Sequence, residues 1–434
     1  MPQTATYPSY DSRSGWNLLL PPRNVKRQTP LQSSYDFVVI GAGFTGLATA
    51  RRLAQLDPNS SILVIEASEV GEGSSARNSG FIISLPHNTK MSGHISPTEV
   101  AKKQIRVYNS GLDWLKSLVE QGNIPCGWNP CGKYHGAATD DGVQNLKATL
   151  RQLSEWGVSC KEVPTAELSE AIGTSYYKYG LQTMNNVFVQ PAALIRGLAD
   201  TLPNNVSLIE HTPVLSLSKK SHYVVHLKDR DISAGKVILA NNGFAKKLGY
   251  LKDRLITIHT YAAMTPELDD AQLALHGKDK EWGLIPANRL GTTLRKIENR
   301  RFMIRSAYSY EHSQSQSAVR AMLTDCYQRR YPHLKTHKLE HVWCGVTALT
   351  RNGAAYFGQI SPNLYASVGC NGAGVLKGSV YGKLLAEMIM NEPSQELSDV
   401  LSMESPTWLP PEPLRRVAVL TAIHLQKKKA GAER

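Results

Sequence analysis

Cysteine is scarce. The 434-residue chain holds six, at Cys126, Cys131, Cys160, Cys326, Cys344 and Cys370, too few and too scattered for a disulfide framework. They are expected to be reduced thiols in a cytoplasmic protein. No stretch approaches the ~18 consecutive apolar residues of a membrane span; the longest, residues 37–50 and 417–423, are broken by glycine or too short. The opening residues lack the basic start and the roughly 7–15-residue apolar run of a secretory signal. Acidic residues are in deficit, 36 against 49 lysines and arginines, which leaves a net charge of +13. That balance admits nucleic acid, anionic lipid or an acidic small molecule as partner and does not choose among them. At 41% hydrophobic and 20% charged residues, the chain has a globular composition, neither disordered nor fibrous. At roughly 150 residues per domain its length suggests two to three units or one interleaved fold.

The first informative segment follows an N-terminal arm, residues 1–34. Residues 35–40, Tyr-Asp-Phe-Val-Val-Ile, form a short β-branched run suited to a buried parallel strand. It leads into Gly41-Ala-Gly43-Phe-Thr-Gly46 and then a stretch of helical periodicity, residues 47–56. Strand, G-x-G-x-x-G turn and helix together form a dinucleotide site: the glycines allow a tight turn and close backbone approach, and the helix start offers unpaired N–H groups to a pyrophosphate. A second strand, residues 61–66, ends in Glu66, whose carboxylate suits ribose hydroxyls and repels a 2′-phosphate. NADP is thereby disfavoured. The next loop, Gly71-Glu-Gly73-Ser-Ser-Ala-Arg77-Asn-Ser-Gly80, is a second small-residue turn with one arginine, suited to a second phosphate and the start of a flavin.

With that loop the chain resembles the FAD-dependent amine and amino-acid oxidoreductases of the D-amino-acid oxidase superfamily. Near the C-terminal end, Trp343-Cys-Gly345, Thr350-Arg-Asn352-Gly-Ala-Ala355-Tyr-Phe-Gly358 and Asn363-Leu-Tyr-Ala-Ser-Val-Gly369-Cys-Asn371-Gly372-Ala-Gly374 match the family's motifs in order. Ala355 replaces the usual proline. Lys377 lies one position after a lysine that some sarcosine oxidases use, so that role is not transferred. The resemblance is closest to the γ-glutamylputrescine oxidase and pipecolate/sarcosine oxidase branch, over about residues 30–425. It implies an α/β fold in which a Rossmann-like FAD-binding domain (35–96, 187–250, 336–392) interleaves with an α+β substrate domain on a large mixed or antiparallel sheet (97–186, 251–335), followed by a basic tail, 393–434.

The resemblance assigns the cofactor to Gly41, Gly43, Phe44, Thr45, Gly46, Glu66 and Ala67, and to Gly73, Ser74, Ser75, Ala76, Arg77, Asn78, Ser79 and Gly80. Val214, Ala240 and Asn241 follow in the middle of the chain, and Gly369, Asn371, Gly372, Ala373, Gly374 and Val375 at the last glycine turn, which opens a helix over 375–390. Cys344 aligns with the cysteine that carries FAD covalently in sarcosine-oxidase-like members; a small buried residue beside Trp343 is the preferred reading, with FAD bound non-covalently. The implied reaction moves a hydride from the carbon beside a neutral amine to flavin N5, and the imine is then hydrolysed. It needs no strong base, only a pocket that favours the uncharged amine. This accounts for the lack of any visible triad or carboxylate pair. With no second G-x-G-x-x-G and no Gly-Asp dipeptide, disulfide-reductase-like and aromatic-hydroxylase-like flavoproteins fit less well.

On the substrate side, the strand-like run at 255–265 points to His259 and Tyr261 as substrate-facing, although ordinary alternation explains them equally. A substrate carboxylate would call for an arginine, Arg305 or Arg351. The Cys126 and Cys131 pair, in a glycine/proline loop, and the His333, His337 and His341 series are read as non-catalytic, and no metal is expected. The expected partners are a small amine or amino acid and an electron acceptor, oxygen, quinone or a protein. The alternative is a basic flavoprotein recruited to RNA or to an electron-transfer partner, as in tRNA-modifying relatives. Residues 414–434 hold six basic residues and one acid. That tail is either a solvated helix or a peripheral membrane contact.

Overall fold

The computed structural model describes residues 6–24, 31–86, 96–334 and 336–434. Parts of the expected N-terminal arm, the end of the first FAD-binding segment and Lys335 lie outside the described residues.

The β-branched segments next to the glycine turns assemble one eight-stranded sheet. Its spatial order is Tyr356–Ser361, Leu364–Val368, Asp231–Leu239, Ser34–Ile40, Ile62–Ile65 and Val206–Ile209, with Tyr223–His226 and Ser216–Lys219 branching from Asp231–Leu239. The run from Leu364–Val368 to Val206–Ile209 is parallel. Its strands are buried on both faces, which is why they read as unbroken apolar runs rather than alternations. One face carries the helices Phe44–Leu56, Pro191–Asp200 and Gly374–Met390 in a single apolar core.

The second sheet also has eight strands, in the order His341–Leu349, Ile256–Met264, Arg301–Tyr310, Thr293–Ile297, Trp282–Pro286, Lys133–Ala137, Tyr179–Thr183 and Cys160–Val163. It is antiparallel except where Trp282–Pro286 runs parallel to Lys133–Ala137. This is the α/β architecture with a large mixed second sheet that the sequence implied.

Two segments sit elsewhere than expected. The helix Pro97–Gln121, grouped by sequence with the substrate domain, buries Val107, Tyr108, Leu115 and Leu118 in the FAD-side core. A Cβ on its Gly111 would stand 2.5 Å from Val380 of the helix Gly374–Met390. The strand His341–Leu349, grouped with the FAD-binding domain, is the edge of the second sheet, paired with Ile256–Met264. Amphipathic periodicity shows that a face is buried but not which partner buries it.

Candidate active site

Between the two sheets lies a cavity of about 470 Å³, lined on one side by the glycine turns and on the other by the second sheet. Gly41 adopts φ +103°, which glycine alone reaches without strain, and a Cβ on Gly43 would stand 2.9 Å from the Ser75 Oγ. The helix Phe44–Leu56 begins at Gly43, whose missing side chain leaves the N–H groups after Phe44 to open on the cavity. Glu66, directly after Ile62–Ile65, accepts from the Ala42 N–H at 2.9 Å and the Ser68 N–H at 3.1 Å. Burial, only partly offset by these donors, holds its carboxyl above the usual carboxylate range.

The loop after the second strand closes the floor. The Ser74 hydroxyl donates to the Val346 carbonyl, Phe44 N–H donates to Ser75 Oγ at 3.3 Å, and Asn78 Nδ2 donates to the Ser75 carbonyl at 2.7 Å. Arg77 lines the cavity and also ties it to the arm. Its guanidinium donates to the Glu72 carbonyl and carboxylate, the Cys344 carbonyl and the Ser12 carbonyl, and it lies 3.6 Å from the Tyr10 ring centroid. A guanidinium at 5% exposure must be partnered, and here the partners are protein. Arg77 therefore clamps the arm to the loop while bordering the cavity. The arm itself contributes to the site: Thr6, Tyr7 and Pro8 line the cavity, and buried Trp16 donates from Nε1 to the Asn78 carbonyl at 2.8 Å.

At the other turn, Asn371 and Gly372 take φ +55° and +88°. The Asn371 side chain is used up in holding this turn: Oδ1 accepts from Thr350 N–H at 2.9 Å while Nδ2 donates to the Gly369 and Gly353 carbonyls at 2.7 and 2.9 Å. The helix Gly374–Met390 starts there, again without a side-chain cap, and opens on the cavity. Lys377 in its first turn is buried and borders the cavity, and desolvation lowers its ammonium to about 8.

The opposite wall is set by strand parity. On Ile256–Met264 the cavity side is Thr260 and Ala262, which pair with Tyr308 and Arg305 of Arg301–Tyr310. Two residues three apart reach the same face because Ala307, at φ +64°, is a bulge inserted between them. Thr293 lies across from Arg305, and Asn288 and Arg289 complete the wall. Arg305 stacks over the Tyr308 ring at 4.8 Å, and the Tyr308 hydroxyl donates to the Arg289 carbonyl at 2.9 Å. Among the described residues neither arginine has a salt-bridge partner, and the acid lining the cavity is Glu66, on the other sheet.

His259 and Tyr261 occupy the opposite parity. His259 lies outside the cavity lining, with Nδ1 3.3 Å from the Cys344 Sγ and Nε2 3.2 Å from the Glu311 carbonyl, and burial lowers its pKa. Tyr261 borders the cavity, but its ring enters the substrate-side core, where its hydroxyl pairs with Ser309 Oγ at 2.6 Å and accepts from Gln314 N–H at 2.8 Å. Arg351 is exposed in a turn outside the lining. Gly46, Ala76, Gly80 and Gly369 support the site from behind, while the other assigned cofactor residues line it. Cys344 lies outside the cavity lining, its Sγ turned to His259, and nothing indicates a covalent link from it to FAD.

The family profile described as FAD dependent oxidoreductase (DAO) matches residues 36–388. The chain belongs to this family. FAD is its cofactor, and the cavity fits it: beyond the glycine turns and open helix starts, Asn241 Oδ1 and Thr260 Oγ1 are buried without a hydrogen-bond partner, and both residues line the cavity. Similar proteins include the probable oxidoreductase OrdL of Haemophilus influenzae, 25% identical over 82% of this chain and 83% of that protein. The gamma-glutamylputrescine oxidoreductase of Escherichia coli is 24% identical over 82% of this chain and 84% of its own. Among solved structures, glycine oxidase from Geobacillus kaustophilus superposes with a TM-score of 0.72 at 16% identity, covering 84% of this chain and 96% of that one. Among the described residues no group of His, Cys, Asp and Glu forms a metal site, and no helix is long and apolar enough to cross a membrane.

Proposed function

We propose that this enzyme oxidises the C–N bond of an amino acid or N-substituted amino acid, yielding an imine that water hydrolyses. The observation that carries this reading is Arg305, a cation on the cavity wall with no anionic partner of its own among the described residues, set beside Tyr308 and Arg289. A half-buried guanidinium without a counter-ion favours a carboxylate ligand, which its planar fork binds with two parallel hydrogen bonds. Relatives named for glycine and for gamma-glutamylputrescine are in keeping with a substrate bearing both an amine and an acid.

Bound FAD supplies the two-electron acceptor for the hydride that leaves the carbon next to nitrogen. The chain's own residues bind, orient and desolvate. Arg305, stacked on Tyr308, holds the carboxylate end, and Thr260 Oγ1 offers an unused hydroxyl beside it. Ala262 and Ile285 give the wall apolar surface, which disfavours the ammonium form and leaves the amine lone pair free. Among the described residues no histidine lines the cavity, and Lys377, lowered to about 8 by burial, is the basic group on its wall nearest neutrality. The uncapped start of Gly374–Met390 brings partial positive charge to the cavity side of the flavin-binding domain.

The test is product analysis with the FAD-loaded enzyme and an added electron acceptor. Amino acids should give the 2-oxo acid and ammonia, or the corresponding amine from N-substituted substrates. Turnover of α-hydroxy acids with amino acids left untouched would sink the proposal.

A further inference from the structure

The helix Leu414–Ala430 turns apolar residues outward. Leu414, Val417, Leu420 and Leu425 are 64%, 63%, 44% and 59% exposed, whereas a surface helix ordinarily lays such residues on the core. At helical spacing Leu414, Val417, Ala418, Thr421 and Leu425 share one side, opposite Val419, Ile423 and the buried Ala430. Trp408, 52% exposed, stands just ahead of the helix. Residues 414–432 include Arg415, Arg416, Lys427, Lys428 and Lys429 and no acid.

Both ends of this helix are tied down. At its start, Arg415 donates to the Pro410 and Lys252 carbonyls, each at 2.8 Å, and the Tyr310 hydroxyl donates to Glu412 at 2.8 Å. Past its end, Glu433 is 1% exposed; its Oε1 accepts from Ala138 N–H at 2.9 Å and from the Thr139 N–H and hydroxyl at 3.1 and 3.0 Å. Arg330 donates to the Glu433 carbonyl at 2.9 Å. Anchored this way, the helix presents its apolar side permanently.

We propose that this helix docks on the anionic surface of a lipid bilayer, with its apolar side chains in the headgroup–acyl boundary. Charge decides for lipid over a second copy of the chain. Two copies meeting on this face would bring Lys428 and Lys429 of each together with no acid on the helix to pair them, whereas acidic headgroups neutralise them. Lys428 and Lys429 flank the apolar side, and their stems are long enough to reach headgroups while the leucines enter the boundary. This inference stands apart from the reading of the substrate.

The experiment is co-sedimentation of the FAD-loaded full chain with phosphatidylcholine vesicles, with and without phosphatidylglycerol, at low and high salt. The enzyme is expected to pellet with the phosphatidylglycerol vesicles and to be released as salt rises. Lys428→Gln is expected to lower the partition coefficient about fivefold, and the triple variant Leu414→Ser, Val417→Ser, Leu425→Ser to abolish pelleting with its flavin content unchanged. Should the triple variant lose flavin, Lys428→Gln with Lys429→Gln carries the test. Absence of pelleting with phosphatidylglycerol vesicles overturns the proposal, as does wild-type-like pelleting of the folded variants. Concentration-dependent self-association lost in the triple variant would assign the face to a second copy and overturn it too.

Discussion

Replacing Arg305 with alanine should separate substrates by whether they carry an acid. In the structure Arg305 projects from the bulged strand onto the cavity wall, stacked on Tyr308 and free of any salt bridge among the described residues. A hydrogen bond to a charged group contributes about 1.5–3 kcal/mol. Two such bonds to one carboxylate are not additive in a half-buried site that water can partly refill, so a loss of about 3 kcal/mol is expected, on the order of 100-fold in kcat/KM. The assay is anaerobic rapid mixing of the oxidised enzyme with paired substrates, an amino acid and the same amine lacking its carboxylate. For the acid the loss should fall mainly on the binding constant; for the amine nothing should change. Arg305→Lys keeps the charge but not the fork and should lose about tenfold. An equal loss on both members of the pair would refute the carboxylate assignment, because it would mean that Arg305 supports the wall rather than the ligand.

Gly43→Val places a Cβ 2.9 Å from Ser75 Oγ or closer, where the diphosphate must pass; the variant should fold but purify depleted of FAD, read from its visible absorbance. Cys344→Ser should leave FAD fully releasable by acid precipitation, as in the parent protein. His276 is fully buried and its pKa is pushed down to about 4 from 6.5 by burial. A depressed folded-state pKa means the contribution is present above pH 6.5 and is lost as pH falls towards 4, by up to about 3 kcal/mol; urea midpoints at neutral and acid pH should diverge in the parent and converge in His276→Asn. Glu433→Ala removes three hydrogen bonds at the start of the helix Asp140–Glu155 and should cost about 1–3 kcal/mol of unfolding free energy, measured by the same denaturant midpoints.

The cofactor half was legible because it is local. Gly41, Gly43 and Glu66 stand within one strand–turn–helix–strand unit, and their spacing alone brings them together. Parity and distance are harder to read. Of the two residues the strand at 255–265 offers, Tyr261 borders the cavity and His259 lies outside its lining, since period-two alternation names two faces without saying which meets the cofactor. Arg305 and Tyr308 share a face only because Ala307 bulges, and a bulge leaves no mark in an apolar strand when its residue is alanine. Arg77 borders the cavity as its loop suggests, but its contacts with Tyr10, Ser12 and Glu72 are not visible in the spacing. The Trp16 anchor and the lining residues Thr6 and Arg289 reach the cavity from distant parts of the chain, and periodicity carries no information about such contacts. Trp16, at the head of the apolar run Trp-Asn-Leu-Leu-Leu over residues 16–20, is a signal that the arm is not an appendage.

The central claim is that the FAD held between the glycine turns takes its electrons from an amino acid. The direct measurement is the flavin absorbance of the oxidised, FAD-loaded enzyme under anaerobic titration with amines, amino acids and N-substituted amino acids, with α-hydroxy acids alongside. The account predicts bleaching by at least one amino acid or N-substituted amino acid, slowed when the hydrogen on the carbon next to nitrogen is replaced by deuterium. An enzyme that dithionite reduces and an α-hydroxy acid bleaches, while every amine and amino acid leaves its spectrum unchanged, would contradict it.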